Sequence, residues 1–388
     1  MATLGYIIVL GTLCSVAFSQ NVTVTCATGK YPPDPKTKVD TYVVNLDLLP
    51  SQRWAELAKA KGPQIKYLVD GFKEFLEDFG QAGKDIVEFL DNRGGDLVVT
   101  LPPPFDQEIR GIALAANMNL GEVILYNLFY EFSTLCTSIV TEDADGNLFH
   151  ARNLDFGLLF GWDVSNKTWT VTERLRPLIV NLDWQRGGET VFKSVNYAGY
   201  TGILTGVKPK LFTLSMNARD DASGGGIVGI LKWLLGNRNE SWIGFLTRNV
   251  METATSFSQA RAMLENTVVV APAYFIVGGN KSGEGVVITR ERSTNLDTWT
   301  MRNASGWYIL ETNYDHWKSP LIIDDRRSAA HKCMDKMSQK NVGFPEIFNV
   351  LSSQPVLNKA TTYTALMQVA TGSLETYIQN CPDPCAPW

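Results

Sequence analysis

Cys136 stands before the strand-like run TSIVTE, and a second run, NLFHARNLD, follows across the turn Asp143-Ala144-Asp145-Gly146. An Asp-Gly pair between β-formers is a strong hairpin signal. A two-residue loop at Asp145-Gly146 would set Ala144 against Asn147 and Cys136 against Asp155. Opposed side chains on neighbouring strands lie within about 5 Å, close enough for a carboxylate to act on thiol chemistry. In that register Arg152 belongs to the other face and needs a bulge or strand end near Ala151 to reach the cysteine. The bland alternative is an ordinary buried cysteine in a hairpin.

A catalytic thiol needs a base or a positive neighbour, and acyl transfer needs donors for an oxyanion. The three histidines, His150, His316 and His331, carry no papain-like signature around Cys136. His150 lies within the hairpin and reads as a structural or surface residue. Another route needs no histidine. If the chain is cut before Cys136, the new α-amino group can serve as base for its own thiol, because its pKa of about 8 lies near working pH. A carboxylate opposite the cysteine, at Asp155, would then hold that amine.

Metal and phosphate chemistry find little support. There is no Cys-x-x-Cys and no histidine pair at helical spacing, and Asp220-Asp221 and Asp324-Asp325 lack companion ligands. No cofactor is expected. GGNKSGEG (278–285) lacks phosphate-loop spacing and reads as a hairpin turn. A net charge of −5 with 19% charged residues gives no basic run for nucleic acid.

The elements that position these residues begin after a leader. Residues 1–19 carry an apolar core from Tyr6 to Phe18, too short to span a bilayer, and read as a signal peptide without the usual positive start. N-x-Ser/Thr sequons at Asn21, Asn166, Asn239, Asn280 and Asn303 agree with a secretory route and mark glycosylation candidates. Cys14 leaves with the leader. Cys381 and Cys385, within CPDPC, suit a local disulfide, and Cys26 with Cys333 makes the natural second bridge, although four cysteines allow three connectivities. Cys136 is then the odd thiol in an oxidising compartment, partnered between chains or kept free for chemistry.

A strand is expected at 41–48. Helices then dominate to residue 135, with Ile65, Leu68, Val69, Phe72, Phe75, Leu76 and Phe79 at helical spacing, and further helices over Lys84–Leu90, Phe105–Asn117 and Gly121–Phe132. After the hairpin come strands at 168–175, 178–184, 189–206 and 211–217, a helix from Gly224 through Trp233, and helices at Ser241–Asn249 and Phe257–Leu264. Strands return at 273–279, 285–291 and 307–313, and the remainder reads as mostly helical. This order favours stacked antiparallel sheets with helical layers, an α+β fold.

The stretches CTSIVTEDADGNLFHARNLDFG, WIGFLTR (242–248), APAYFIVGGNKSGEG (271–285), TNYDHW (312–317), DDRR (324–327) and CPDPC resemble the acid ceramidases, lysosomal amidohydrolases of the N-terminal-nucleophile class. N-acylethanolamine-hydrolysing acid amidases share the cysteine hairpin and are similar at one remove. The resemblance runs from KYPP (30–33) to Trp388. It implies an αββα sandwich, autocleavage between Leu135 and Cys136, a mostly helical α-subunit (20–135) and a β-subunit (136–388) that stay together as a heterodimer. It further implies Cys136 as nucleophile with its freed amine as base, Asp155 orienting the amine, Arg152 beside the thiol, Asn313 donating to the oxyanion and Arg326 supporting the site. The disulfides it implies are Cys26–Cys333 and Cys381–Cys385. Ceramide is the implied substrate, reached from a membrane or vesicle surface with a saposin-type activator, in the lysosome lumen with a secreted fraction. Exposed apolar surface is expected, with the α-subunit helices as one candidate. Trp162, Trp169 and Trp233 are candidates for an apolar channel, though core is the simpler role. One departure stands out: SMNARDD places Ala218 where the family has a glutamate. N-acylethanolamine hydrolysis and a catalytically inactive lipid-binding relative are the competing functions.

Overall fold

The computed structural model describes residues 24–385 except 78–79, 130–134, 157–160, 220–228, 230–231, 234–235 and 237. The leader, Asn21 and most of the helix expected from Gly224 to Trp233 lie outside the described residues.

Strand β1 (Thr41–Asn45) precedes helices α1 (Ala55–Glu77), α2 (Gln81–Val98), α3 (Phe105–Ala116) and α4 (Leu120–Phe129). Helix α1 buries Ile65, Leu68, Val69 and Phe72, the stripe that its spacing predicts. Prolines at 102–104 separate α2 from α3, as rings without an N–H must. Next come β2 (Leu135–Glu142), β3 (Leu148–Asp155), a small ribbon of β4 (Trp162–Asp163) and β5 (Thr168–Trp169), and helix α5 (Thr170–Leu175). The strand expected over 168–175 is therefore mostly helix. Its β-branched residues are outweighed by burial of Val171 and Leu175 and by the Thr172 hydroxyl, which donates to Phe156 O.

Strands β6 (Ile179–Arg186), β7 (Glu189–Tyr197), β8 (Thr205–Lys208) and β9 (Phe212–Ala218) follow, then α6 (Ile243–Thr253) and α7 (Phe257–Asn266). Four strands come next: β10 (Ala273–Gly278), β11 (Gly285–Arg290), β12 (Asn295–Thr300) and β13 (Tyr308–Glu311). Helices α8 (Arg326–Met337) and α9 (Phe344–Leu351) lead to β14 (Thr361–Gln368) and β15 (Ser373–Ile378). The expectation of a mostly helical C-terminus is corrected by this last hairpin, whose first strand pairs directly with β3.

One sheet has the order β1-β6-β7-β8-β9-β10-β11-β12 and the other β13-β2-β3-β14-β15. Alternation along β2 and β3 sorts the layers. Ile139 and Ala151 pack with Ala330, Met334, Phe348 and Leu351 of α8 and α9. Val140 instead packs with Tyr274 and Ile276 of the larger sheet. Helices α6 and α7 cover the far side of that larger sheet, with Arg290 of β11 donating to Leu264 O. The layers are helix, sheet, sheet, helix.

The N-terminal helices are tied into this sandwich. Strand β1 pairs in parallel with β6. Phe105 stacks on Phe245 with ring centroids 3.8 Å apart. Glu108, fully buried, accepts from Arg248 Nη2 at 3.1 Å and from Trp54 Nε1 at 2.8 Å. Disulfides join Cys26 to Cys333 and Cys381 to Cys385. No described helix is long and apolar enough to cross a membrane.

Candidate active site

The hairpin that carries Cys136 closes one residue differently from the simplest Asp-Gly turn. Asp143 N–H donates to Asn147 O at 3.1 Å, and Gly146, at φ +82°, closes a three-residue loop. The Asp143 carboxylate stabilises that loop by accepting from Asp145 N and Asn147 N at 2.9 and 2.8 Å. The expected register is thereby corrected: Cys136 pairs with Leu154, Ser138 with Arg152, and Asp155 with Leu135. Because side chains alternate, this single step exchanges the faces of Arg152 and Asp155. Arg152 now shares the inter-sheet face with Cys136 without any bulge in β2 or β3.

Cys136 is fully buried and, among the described residues, is the cysteine outside a disulfide. Arg152 Nη2 donates to its Sγ at 2.5 Å, while Nη1 donates to Leu204 O and Thr205 Oγ1 at 2.8 and 3.0 Å. A fixed positive charge on the sulfur favours the thiolate. On the same face His150 lies between Thr213 Oγ1 and Ser215 Oγ, both at 2.9 Å. Burial, with Arg152 adding to it, pushes its pKa down to about 3, so it stays neutral and structural. The surface alternative for this histidine is set aside.

Asn313 and Arg326 come from the segment after β13 and from the first residue of α8. Cys136 N–H donates to Asn313 Oδ1 at 2.7 Å, and Asn313 Nδ2 donates to Ala218 O at 2.8 Å. Arg326 Nη2 also reaches Asn313 Oδ1, at 3.0 Å, and Nη1 donates to Cys136 O at 2.5 Å. Asp324 grips the same guanidinium at Nε and Nη2, at 2.7 and 3.0 Å. Burial works against the charge of Arg326, but the hydrogen bonds and charge of Asp324 outweigh it and raise its pKa. The acidic pair at 324–325 thus finds a structural use: Asp324 holds Arg326, and Asp325 caps α8 by accepting from Ser328 N.

Asp155 faces the helical layer. Its Oδ2 accepts from Asn358 Nδ2 at 3.1 Å and lies 3.4 Å from Arg326 Nη1. Burial raises its pKa against the pull of Arg326. In this structure the acceptor on Cys136 N is Asn313, and Asp155 acts one step away, through Arg326.

The five expected residues therefore converge, from β2, β3, the 312–317 segment and α8. Sequence reasoning missed Thr205, Tyr197 and Tyr363, which arrive from distant strands, and Asn358, from the loop before β14; none carries a local signature. Leu135 is half-buried and continuous with Cys136 in β2. Asn166, Asn239, Asn280 and Asn303 are exposed. Trp162 and Trp169 meet edge-to-face at 5.0 Å in the small ribbon, and Trp233 is buried against Trp242.

The choloylglycine hydrolase family of linear amide C–N hydrolases matches residues 136–381. The beta subunit of N-acylethanolamine-hydrolyzing acid amidase matches residues 37–100. An acid ceramidase of Balaenoptera acutorostrata scammoni is 48% identical over 97% of this chain and 96% of its own length. The acid ceramidase of Homo sapiens is 47% identical over 98% of each chain. Among solved structures, the Caenorhabditis elegans ortholog of N-acylethanolamine-hydrolyzing acid amidase superposes with a TM-score of 0.53 at 30% identity, over 63% of this chain and all of that one.

Proposed function

This chain belongs to the acid ceramidase family of linear amide C–N hydrolases, and from that membership we propose that it hydrolyses the amide of ceramide to sphingosine and a free fatty acid, with Cys136 as nucleophile. The observation that carries the assignment is the pair of contacts on one residue: Arg152 on the Cys136 sulfur and Asn313 on its nitrogen.

The reaction begins with cleavage of the Leu135–Cys136 bond, which frees the α-amine and separates an α-subunit (20–135) from a β-subunit (136–388). The thiolate, facing Arg152, attacks the amide carbonyl. Asn313 Nδ2 and backbone donors around residue 218 receive the oxyanion; a backbone donor does not need the glutamate that Ala218 replaces. The C–N bond breaks as the α-ammonium gives its proton to the departing sphingosine amine. Water, deprotonated by the same α-amine, then hydrolyses the thioester and releases the fatty acid. Asn313 Oδ1 orients the α-amine, and Asp155 with Asp324 holds Arg326 against the Cys136 carbonyl.

A two-tailed lipid must be taken from a surface. The segment joining Asn313 to Arg326 exposes Trp317, Leu321 and Ile323, and Ile322 is 95% exposed, which suits contact with a vesicle, with or without a saposin-type activator. Helices α2 and α3 also expose Phe89 and Leu114. The exposed sequons and the leader fit delivery to the lysosome with a secreted fraction.

N-terminal sequencing of the purified protein, together with Cys136→Ser, tests the reading. A chain beginning at Cys136 is expected, and the variant should lose both cleavage and hydrolysis. Normal turnover in Cys136→Ser would remove the nucleophile. Parallel assays on ceramide and N-palmitoylethanolamine decide between the two amides that the relatives' names suggest.

A further inference from the structure

Strand β14 is irregular where it passes the site. Thr361 pairs with Asp155 and Tyr363 with Leu154, so Thr362 is an extra residue outside the pairing register with β3. In a regular strand, residues two apart share a face. Here the bulge sends Thr361 to the face of Asp155 and Tyr363 to the face of Arg152 and Cys136. Thr362 Oγ1 donates to Leu154 O at 2.9 Å and meets Tyr197 OH at 2.8 Å, which pins the bulge in place.

The Tyr363 hydroxyl lies 2.9 Å from Thr205 Oγ1, the oxygen that accepts from Arg152 Nη1 at 3.0 Å. Tyr363 is 1% exposed, and Thr205, Arg152 and Cys136 are fully buried. Water therefore cannot stand in for a missing hydroxyl without opening the site. We propose that Tyr363 is a positioning residue: aimed by the bulge, it fixes Thr205, and Thr205 holds the Arg152 fork so that Nη2 stays on the Cys136 sulfur. This rests on the reading of Cys136 as the nucleophile.

Among the described residues the charged or titratable groups about the thiol are Arg152 on β3, Tyr197 on β7, Tyr363 on β14 and Arg326 on α8, joined after cleavage by the α-amine of Cys136 itself, which every variant shares. Burial raises the pKa of both tyrosines, so they stay protonated while the thiol titrates. A change in thiol titration on removing one hydroxyl then reports the aim of Arg152.

The test measures the rate of Cys136 alkylation by iodoacetamide against pH in the processed two-subunit enzyme, the form in which the proposed cut opens the thiol to substrate and reagent, beside kcat and KM for ceramide. Tyr363→Phe and Thr205→Val should each move the alkylation midpoint up by about half a pH unit and lower kcat about fivefold, the scale of one hydrogen bond. KM should hold, and Thr205→Ser, which keeps the oxygen, should behave as the unaltered enzyme. Folded variants with an unmoved midpoint overturn the proposal, as does a shift in Thr205→Ser equal to that of Thr205→Val. Should Tyr363→Phe fail to fold, the Thr205 pair decides alone. If alkylated, unaltered enzyme still hydrolyses ceramide, it is the nucleophile assignment that fails, whereas the positioning is read from the alkylation curves.

Discussion

Glu311 offers a test of how the site is matched to its medium. It stands opposite Ser138 on β13, fully buried, two residues before Asn313. Its Oε1 accepts from Thr312 N at 2.9 Å, and Oε2 has no hydrogen-bond partner among the described residues. Arg327 Nη2 lies 3.8 Å away, too far to offset desolvation, and Asp315 adds repulsion. Burial foremost pushes its pKa from 4.5 up to about 8. The unfolded chain releases this proton near the ordinary value while the folded chain keeps it, so the native state binds more protons across that window. The stability it contributes is fully present below pH 4.5, falls as pH rises, and is gone above about 8. At about 1.4 kcal/mol per pH unit the loss has a ceiling of about 5 kcal/mol. Glu311→Gln keeps the shape of the neutral acid and cannot ionise. Urea midpoints measured from pH 4 to 9 should nearly coincide for the two proteins at the acid end and diverge steadily, with the variant more stable by several kcal/mol at the alkaline end. His150, held down to about 3, makes the opposite contribution, lost as pH falls from 6.5 to 3, and is common to both chains. Parallel curves across the whole range would refute the assignment of Glu311 as a buried neutral acid.

Further outcomes follow from other contacts. Arg152→Lys should lower kcat about 10- to 100-fold, because one ammonium cannot serve Leu204 O, Thr205 Oγ1 and the sulfur together; steady-state kinetics would show it. Arg326→Met leaves Asp324 and Asp155 without their cation and should cost about 3–5 kcal/mol, read as a fall in urea midpoint. Cys26–Cys333 spans the proposed cut, so the processed protein should run as one band without reductant and two with it on a denaturing gel. Glu108→Gln weakens a fully buried pair with Arg248 between the N-terminal helices and the sandwich, and should lower Tm by several degrees in calorimetry.

Much was legible from residues alone. Apolar spacing set helix α1, runs of β-formers about an Asp-Gly turn set β2 and β3, and the family resemblance of the motif-bearing stretches pointed to Cys136, Arg152, Asp155, Asn313 and Arg326. Helical periodicity and the Asp-Gly turn are local signals, and local signals survive without a fold. The strands at 361–378 were missed because threonines mixed with Leu, Met and Ala satisfy neither period cleanly; they become strands by pairing with β3. Thr168–Leu175 failed in the other direction, since burial of Val171 and Leu175 decided against β propensity.

The chemistry of the hairpin turned on one residue of register. Both a two-residue and a three-residue loop suit Asp-Ala-Asp-Gly, and the Asp143 carboxylate with Gly146 in the left-handed region selects the longer one. Since side chains alternate with period two, that choice put Arg152, rather than Asp155, on the face of the thiol. The hairpin's residues singled out Cys136 and Asp155, and the resemblance carried by the motif-bearing stretches added Arg152, Asn313 and Arg326 as the residues for amide chemistry. Their mutual orientation, and the distant Thr205 and Tyr363 that hold the cation, were decided by tertiary pairing, because a face is a property of strands already aligned.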